Sequence, residues 1–338
     1  MPQTIALVYD LRDDYIAEGL SPEDAAEFDR EDTIAAIESA LQKLGYRTDR
    51  VGNVKALCRR LCRGDRWDLV FNIAEGLGGR CRESQAPALL EAYDIAYTFS
   101  DPLVCALTLD KALAKQLVQA AGLPTPRFAV VRGMEDVATV TLDYALFAKP
   151  VAEGTGKGID GRSRLDSPEE LQSVCESLLG RFRQPVLVEE FLPGREFTVG
   201  VLGNGPDAFV LGAIEVGLRN EADPDRIYGY EEKEKCESLV RYSPVRDGPL
   251  MWRLAQLALA SCQVLECRDA ARVDLRLDGR AVPNFIEINP LPGLHPEHSD
   301  LPMIATAVGM PYHELIGAIV ENAFARARSR PCRAAFPC

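Results

Sequence analysis

The sequence predicts an α/β protein of two or three packed units, because of its length, its balanced composition and its alternating short apolar runs and helical patterns. Its 338 residues are too many for one ordinary domain. Hydrophobic residues make up 47% and charged residues 26%, which is typical of a soluble globular protein. No apolar run reaches the ~18 residues that span a bilayer, and the first residues lack the basic segment of a secretory signal. We therefore expect a cytoplasmic protein without a membrane partner.

The net charge and the cysteines argue against two classes of function. The formal net charge is −13, whereas a general nucleic-acid binder needs a basic surface to displace counterions. The 10 cysteines are scattered without a Cys-x-x-Cys motif, as is typical of small buried hydrophobes or free thiols. His295 and His298 are three residues apart, a pair better interpreted as polar loop residues than as zinc ligands. We expect neither a nucleic-acid partner nor a zinc site.

Residues 1–104 predict an open sheet of the βαβ type. The first apolar run is typical of a buried parallel strand, and the following helix shows apolar residues at helical spacing until Gly45 ends it. In chain order the predicted elements are strand 4–9, an acidic irregular stretch 10–30, helix 34–44, strand 67–73, a glycine-rich turn 75–79, helix 86–93 and strand 95–99.

Two further units follow, and the last one mixes helices and strands so that the C-terminal part is α+β. Unit 105–193 is predicted to contain helix 110–121, strands 128–131 and 146–149, a glycine-rich loop, helix 168–179 and strand 186–191. Unit 194–330 is predicted to contain strands 196–202 and 209–216, a polar loop 218–240, helix 249–265, strands 271–277 and 284–289, and helix 312–328. The tail 331–338 has no periodicity and is predicted to be disordered.

The last strand pair carries polar residues that suit a hard cation. Arg272 and Asp274 share one face of a strand, and Glu287 and Asn289 share one face of the next. Asp274 and Glu287 can face each other only if the hairpin turns through a loop of about six residues, since a tight turn would offset them by ~13 Å. Such oxygen ligands suit Mg²⁺, and the arginine could hold a phosphate or an oxyanion. A solvated strand face with a surface salt bridge is the alternative.

Two further segments and two lysines favour nucleotide chemistry, although each signal is weak alone. Residues 149–158 (KPVAEGTGKG) form a glycine-rich loop after a strand, whose amides could approach phosphates. The loop is neither a Walker loop nor a dinucleotide fingerprint. Residues 186–196 end a strand in paired carboxylates, which could face a nucleoside, and Lys111 and Lys233 could reach an anion. A glycine-rich hairpin turn, surface acids and solvated lysines are the alternatives.

Taken in order, these segments resemble the D-alanine–D-alanine ligases of the ATP-grasp superfamily over residues 67–325. The matching segments are 110–124, 149–158, 186–198, 228–233, 272–274 and 287–293. The resemblance implies a three-domain ATP-grasp fold and an ADP-forming ligase for small amino acids or amines. In that reaction a carboxylate attacks the γ-phosphorus of ATP, and an amine then attacks the acyl phosphate. The resemblance also implies a homodimer through the first domain.

The resemblance assigns individual roles. Residues implied to contact ATP are Lys111, Lys149, Glu153, Gly154, Thr155, Gly156, Glu189, Glu190, Phe191, Leu192, Glu196 and Lys233. Of these, Glu189, Glu190 and Leu192 would contact adenine, and Glu196 the ribose. Two Mg²⁺ ions, with Mn²⁺ as an alternative, would be held by Asp274, Glu287 and Asn289. Arg272 and the amide of Gly293 would form the oxyanion site, with Thr155 and Lys233 as further catalytic residues. The amino acids would contact Glu75, Arg272, Gly293, Ser299 and Asp300.

Three departures from the family pattern concern the amino acid and not ATP. Where the ligases usually carry Glu-x-Ser, the best match is residues 28–30, Phe-Asp-Arg, and residues 31–33, Glu-Asp-Thr, are a close alternative. Glu75 replaces a histidine before a glycine, and Glu234 replaces a tyrosine in the mobile loop. Carboxylates at these places suit a cationic or more polar donor than D-alanine. The alternatives are an ATP-grasp ligase for another amino acid, a peptide or an amine, and a non-catalytic nucleotide-binding module, against which the oxyanion residue Arg272 argues.

Overall fold

A computed structural model of the chain describes residues 2–218, 229 and 239–329. The predicted disordered tail 331–338 lies outside the described residues, and so do Lys233 and Glu234 of the polar loop. One parallel and two antiparallel sheets follow one another along the chain. The boundaries at 104/105 and 193/194 stay predictions.

The N-terminal sheet is parallel, with strand order β2-β1-β3. Its strands are β1 (Thr4–Val8), β2 (Arg47–Gly52) and β3 (Leu69–Asn72). The predicted strand at 95–99 is wrong as a full strand, because only the bridge between Val70 and Tyr97 forms. Phe99 has a φ of 71°, a left-handed conformation that ends extended pairing.

The stretch 10–30, predicted to be irregular, is an organised excursion. It contains helix α1 (Arg12–Ala17) and returns to its start, where Leu11 bridges Asp29. Tyr15, Ala25 and Phe28 form a small core inside it. The excursion brings Glu27 beside the central part of the chain, as described below.

Three helices belong to the N-terminal unit, and the next two along the chain pack against the C-terminal sheet. They are α2 (Glu31–Lys43), α3 (Val54–Cys62), α4 (Gln85–Ala92), α5 (Pro102–Leu109) and α6 (Lys111–Ala120). Asp101 caps α5 and Asp110 caps α6 by accepting backbone hydrogen bonds, which satisfies amides that the helix leaves unpaired. Lys111 is therefore fixed in the first turn of α6.

The central sheet is antiparallel, with strand order β4-β7-β5-β6. Its elements are β4 (Phe128–Val131), α7 (Met134–Val137), β5 (Leu146–Pro150), β6 (Arg164–Leu165), α8 (Pro168–Phe182) and β7 (Val186–Glu190). The apolar face of α8 packs on β5 and β7 through Leu171, Cys175 and Leu178. The ends of β5 and β7 place Lys149 and Glu189 side by side on the other face.

The C-terminal sheet is antiparallel, with strand order β10-β9-β8-β11-β12. Its elements are β8 (Glu196–Leu202), β9 (Phe209–Leu218), β10 (Val240–Pro244), α9 (Gly248–Val264), β11 (Ala270–Leu277), β12 (Pro283–Asn289), α10 (Asp300–Ala307) and α11 (Tyr312–Ser329). Helix α11 packs on α2, so one apolar core contains both Ile37 of the N-terminal unit and Ile319 of α11.

No single helix of the described residues is both long and apolar enough to cross a membrane, although α10 and α11, bent by 113° at their junction, together meet the length and composition criterion.

Candidate active site

The hairpin of β11 and β12 brings four polar side chains to one face. Arg272 lies opposite Asn289, and Asp274 lies opposite Glu287. The connecting loop is 278–282, shorter than the six residues expected. Asp274 pairs with Glu287 but Leu275 pairs with Phe285, so Ile286 is an extra, unpaired residue in the second strand. This bulge makes up for the shorter loop.

Cations balance the carboxylates on this face. The Arg272 guanidinium donates to Asp274 and to Asp300, both at 3.0 Å. Lys111 Nζ lies 3.3 Å from Glu287 Oε2, and the Thr198 hydroxyl donates to Asp274 at 3.0 Å. Asp274 and Glu287 supply carboxylate oxygens, and Asn289 opposite Arg272 supplies an amide oxygen. This donor set fits Mg²⁺, which prefers a few carboxylates and completes its shell with water and phosphate.

One cleft lies between the central and C-terminal sheets. Its lining includes Lys149, Glu189, Glu190, Phe191, Leu192, Glu196, Asp274 and Glu287. All of the residues from 189 to 196 that the resemblance assigns to adenine or ribose are thus brought together here. Glu196 accepts from Arg276 at 3.1 Å, so its carboxylate is held at the edge of the cleft.

The floor of this cleft contains a buried chain of charges. Glu189 lies 2.8 Å from Lys149 Nζ and 2.9 Å from Lys115 Nζ. Burial favours the neutral carboxyl, but the two lysines outweigh it and lower the pKa of Glu189 to about 2. Burial lowers the pKa of Lys115 to about 8. No sequence motif points to Lys115; its spacing of one helical turn from Lys111 is the only signal.

A second, larger cleft adjoins the first at Glu287. Its lining includes the predicted residues Glu75, Lys111, Glu153, Gly154, Thr155, Arg272, Asn289, Gly293, Ser299 and Asp300. Gly156 does not line it. Glu27, Arg82 and Glu83 also line this cleft, and only the tertiary structure reveals them.

Similarity to known proteins identifies the family of the chain. A model of the D-ala D-ala ligase C-terminus matches residues 117–321. The chain is 34% identical to the uncharacterized protein y4sG of Sinorhizobium fredii, over 86% of this chain and 87% of that protein. It is 36% identical to the D-alanine–D-alanine ligase of Bordetella pertussis, over 71% of this chain and 74% of that enzyme. The chain belongs to the D-alanine–D-alanine ligase family.

A solved structure has the same fold. The D-alanine–D-alanine ligase from Bacillus anthracis complexed with ATP superposes with a TM-score of 0.73 at 21% identity, over 97% of this chain and 99% of that one. The predicted family and the ATP-grasp fold are confirmed. The chain is an ATP-dependent ligase that forms amide bonds.

The structure corrects the predicted match of residues 28–30 to the Glu-x-Ser of the family. Phe28 does not face the cleft, because its ring packs against Tyr15 with centroids 4.4 Å apart. The preceding residue, Glu27, faces the cleft instead. The residue of this segment that lines the cleft is thus Glu27, one position before the predicted match.

Glu27 fastens the glycine-rich loop of the ligase to the N-terminal unit. It accepts from the Gly154 amide at 2.7 Å and lies 2.9 Å from Lys157 Nζ and from Arg82 Nη2. Burial opposes ionisation, but Arg82 and Lys157 outweigh it and lower the pKa of Glu27 to about 2. The loop residue Thr155 has a φ of 52°. Through Glu27 the loop is thus joined to the N-terminal unit, with Gly154 and Thr155 lining the larger cleft.

The far end of the larger cleft is shaped by the turn before α10. The Ser299 hydroxyl accepts from the His295 amide at 2.9 Å, and a Cβ on Gly293 would lie 2.9 Å from that hydroxyl. The His295 and His298 rings stack 4.4 Å apart, and His295 Nε2 lies 3.4 Å from Asp32. Both histidines are thus engaged in the packing of the loop.

Proposed function

We propose that this ligase activates the carboxylate of one small amino acid as an acyl phosphate and joins it to the amine of a second. One observation carries the proposal. The two clefts meet at Glu287, with Lys111 and Arg272 beside it. A nucleotide in the first cleft would therefore present its terminal phosphate to a substrate in the second.

The smaller cleft is proposed to bind the nucleoside. Phe191 and Leu192 supply apolar surface for a purine, and Glu196 supplies a carboxylate for ribose hydroxyls. The Glu189 carboxylate is taken by two lysines, so its proposed adenine contact falls to its backbone. Glu190, paired with Arg127 at 2.7 Å, closes the outer edge.

The junction is proposed to bind the phosphates. Asp274, Glu287 and Asn289 would hold Mg²⁺, in the two-ion arrangement of the family, and Mn²⁺ is an alternative ion. The metal would neutralise charge on the transferred phosphoryl group. Lys111 and Lys149 add positive charge from either side, and Lys233, outside the described residues, is proposed to act at the γ-phosphate.

The larger cleft is proposed to hold the reacting amino acids. Arg272 and the amide of Gly293 would stabilise the oxyanion formed when the amine attacks the acyl phosphate, and Ser299 would bind the acceptor carboxylate. The loop held by Glu27 would exclude water, which would otherwise hydrolyse the acyl phosphate. Such a reaction needs ATP, and we place it in the cytoplasm. A homodimer belongs to the same proposal.

ADP release from Mg-ATP with paired D- and L-amino acids tests this function, with mass spectrometry of the products. We expect amide and ADP in equal amounts with at least one pair. Asp274→Asn should abolish both, whereas the exposed Glu176→Gln should leave both unchanged. ADP without amide from every pair, or no turnover with any pair, would contradict the proposal.

A further inference from the structure

We propose that Glu75 and Glu83 form a subsite for a cationic side chain on the amino acid that donates its carboxylate. The inference rests on the proposed function and names its substrate class. Both residues belong to the N-terminal wall of the larger cleft. Glu75 follows β3, and Glu83 lies in a single-turn 3-10 helix, Arg82–Ser84.

A glycine turn holds the two carboxylates together. The Gly76 amide donates to Asp10 at 2.8 Å, and Gly76 has a φ of 73°. A Cβ on Gly76 would lie 2.5 Å from the Arg82 carbonyl oxygen. Only glycine allows this close approach, which fixes Glu75 beside the segment that carries Glu83.

Glu83 is buried but has no donor for its carboxylate. Its residue is only 7% exposed, and the exposed part lines the cleft. Within residues 2–218, 229 and 239–329, no side chain forms a hydrogen bond or ion pair with it. A buried carboxylate without a partner is costly, so a cation entering the cleft would be bound strongly.

The nearby cations are already engaged. Arg82 donates to the Ala152 carbonyl at 3.0 Å and to Glu27 at 2.9 Å. Lys111 donates to the Glu153 carbonyl at 2.6 Å and contacts Glu287. These cations are therefore not available to pair with the carboxyl groups of Glu75 and Glu83.

Without a cationic partner, burial favours the neutral form of both carboxyl groups. Burial raises the pKa of Glu83 to about 7 although Arg82 opposes it. Burial and the charge of Glu83 raise the pKa of Glu75 well above its usual value. A bound cation would displace these protons, whereas an apolar side chain would not.

The chemistry favours an organic cation, and the position favours the donor. The two carboxyl groups can accept hydrogen bonds from the several N–H donors of an ammonium or guanidinium group, which points to an organic cation. Lys111 acts electrostatically on Glu83 and lies 3.3 Å from Glu287. An amino acid whose carboxylate reaches the phosphates beside Lys111 thus has its side chain within reach of Glu83.

Matched donors that differ only by one ammonium group test the subsite. Ornithine with norvaline, lysine with norleucine, and 2,4-diaminobutyrate with 2-aminobutyrate serve in both enantiomers, and product mass spectrometry identifies the donor. We expect kcat/KM to favour the cationic member of at least one pair by ~10- to 100-fold, as for a charge-assisted contact. Glu83→Gln and, separately, Glu75→Gln should reduce that ratio by ~10-fold or more, whereas the surface control Glu176→Gln should preserve it.

Three results would overturn the inference. The wild type could use both members of each pair equally, both variants could keep the wild-type ratio of kcat/KM values, or the cationic amino acid could react only as acceptor. Equilibrium binding of ornithine and norvaline, with a non-hydrolysable ATP analogue present, separates it from the proposed function. Glu83-dependent binding of ornithine without any turnover would refute the ligase proposal but support the cationic subsite. Absence of such a preference in binding as well as in turnover would refute the subsite.

Discussion

The buried pair of lysines around Glu189 makes Glu189→Gln a sharp test of what holds the nucleotide cleft together. Lys115 is 0% exposed and Lys149 is 3% exposed, and both lie within 2.9 Å of the Glu189 carboxylate. The substitution keeps the size of the side chain but removes the nearest countercharge of two buried ammonium groups. Removing one partner of a buried ion pair costs ~3–5 kcal/mol.

We expect the lower end of this range, about 3 kcal/mol of unfolding free energy. The reason is that Lys115, whose pKa burial already lowers to about 8, can lose its proton at modest cost. The neighbouring Glu190→Gln is the matched control, because Glu190 pairs with Arg127 at the surface and such pairs contribute ~0–1 kcal/mol.

Urea unfolding at pH 7, followed by circular dichroism, measures both variants. The deficit of Glu189→Gln should shrink at pH 9.5. In the unfolded chain a lysine has a pKa of about 10.5, so burying it in the neutral form costs the folded state less as the pH approaches that value. A loss below ~1 kcal/mol for Glu189→Gln, or equal losses for the two variants, would refute this account of the cleft floor.

Three further predictions concern Asp29 and two residues of the larger cleft, Glu27 and Gly293. Burial raises the pKa of Asp29 from 3.8 to about 7, so ionisation of this carboxyl lowers native stability as the pH rises from about 4 to about 7. Asp29→Asn should therefore raise the melting temperature at pH 8 but not at pH 4. A gain at both pH values would count against this cause. Glu27→Gln weakens the hold on the glycine-rich loop, so the ratio of amide to ADP should fall as acyl phosphate is hydrolysed; a ratio that stays at one would exclude this role. Gly293→Ala places a Cβ 2.9 Å from the Ser299 hydroxyl and should raise KM for the acceptor by ~10-fold while KM for the donor stays constant; Gly161→Ala, which meets open space, should change neither.

The hairpin of β11 and β12 shows what the sequence can predict. Alternation with a period of two identifies the shared faces of Arg272 and Asp274, and a distance argument then requires Glu287 to lie opposite. The fold of the hairpin follows this requirement, but through a five-residue loop and an irregularity at Ile286. The sequence does not indicate that one of the six residues needed between the paired positions lies in a bulge and not in the loop.

Residues that act through tertiary contacts could not be predicted. Glu83 and Lys115 belong to no motif, and their importance depends on burial beside residues distant in the chain. The stretch 10–30 shows the same limit. Its polar composition suggested no order, whereas Tyr15 and Phe28 give it a core of its own. That core decides that Glu27, and not Phe28, faces the cleft.

Transfer of oxygen-18 from the donor carboxylate tests the central claim most directly. Attack of that carboxylate on the γ-phosphorus places one of its oxygens between carbon and phosphorus, and amide formation then leaves that oxygen on phosphate. With a labelled donor we predict one oxygen-18 in the released phosphate for each amide formed, and none in ADP. Label retained entirely in the amide product, or found in AMP, would contradict the acyl-phosphate route and with it the proposed function.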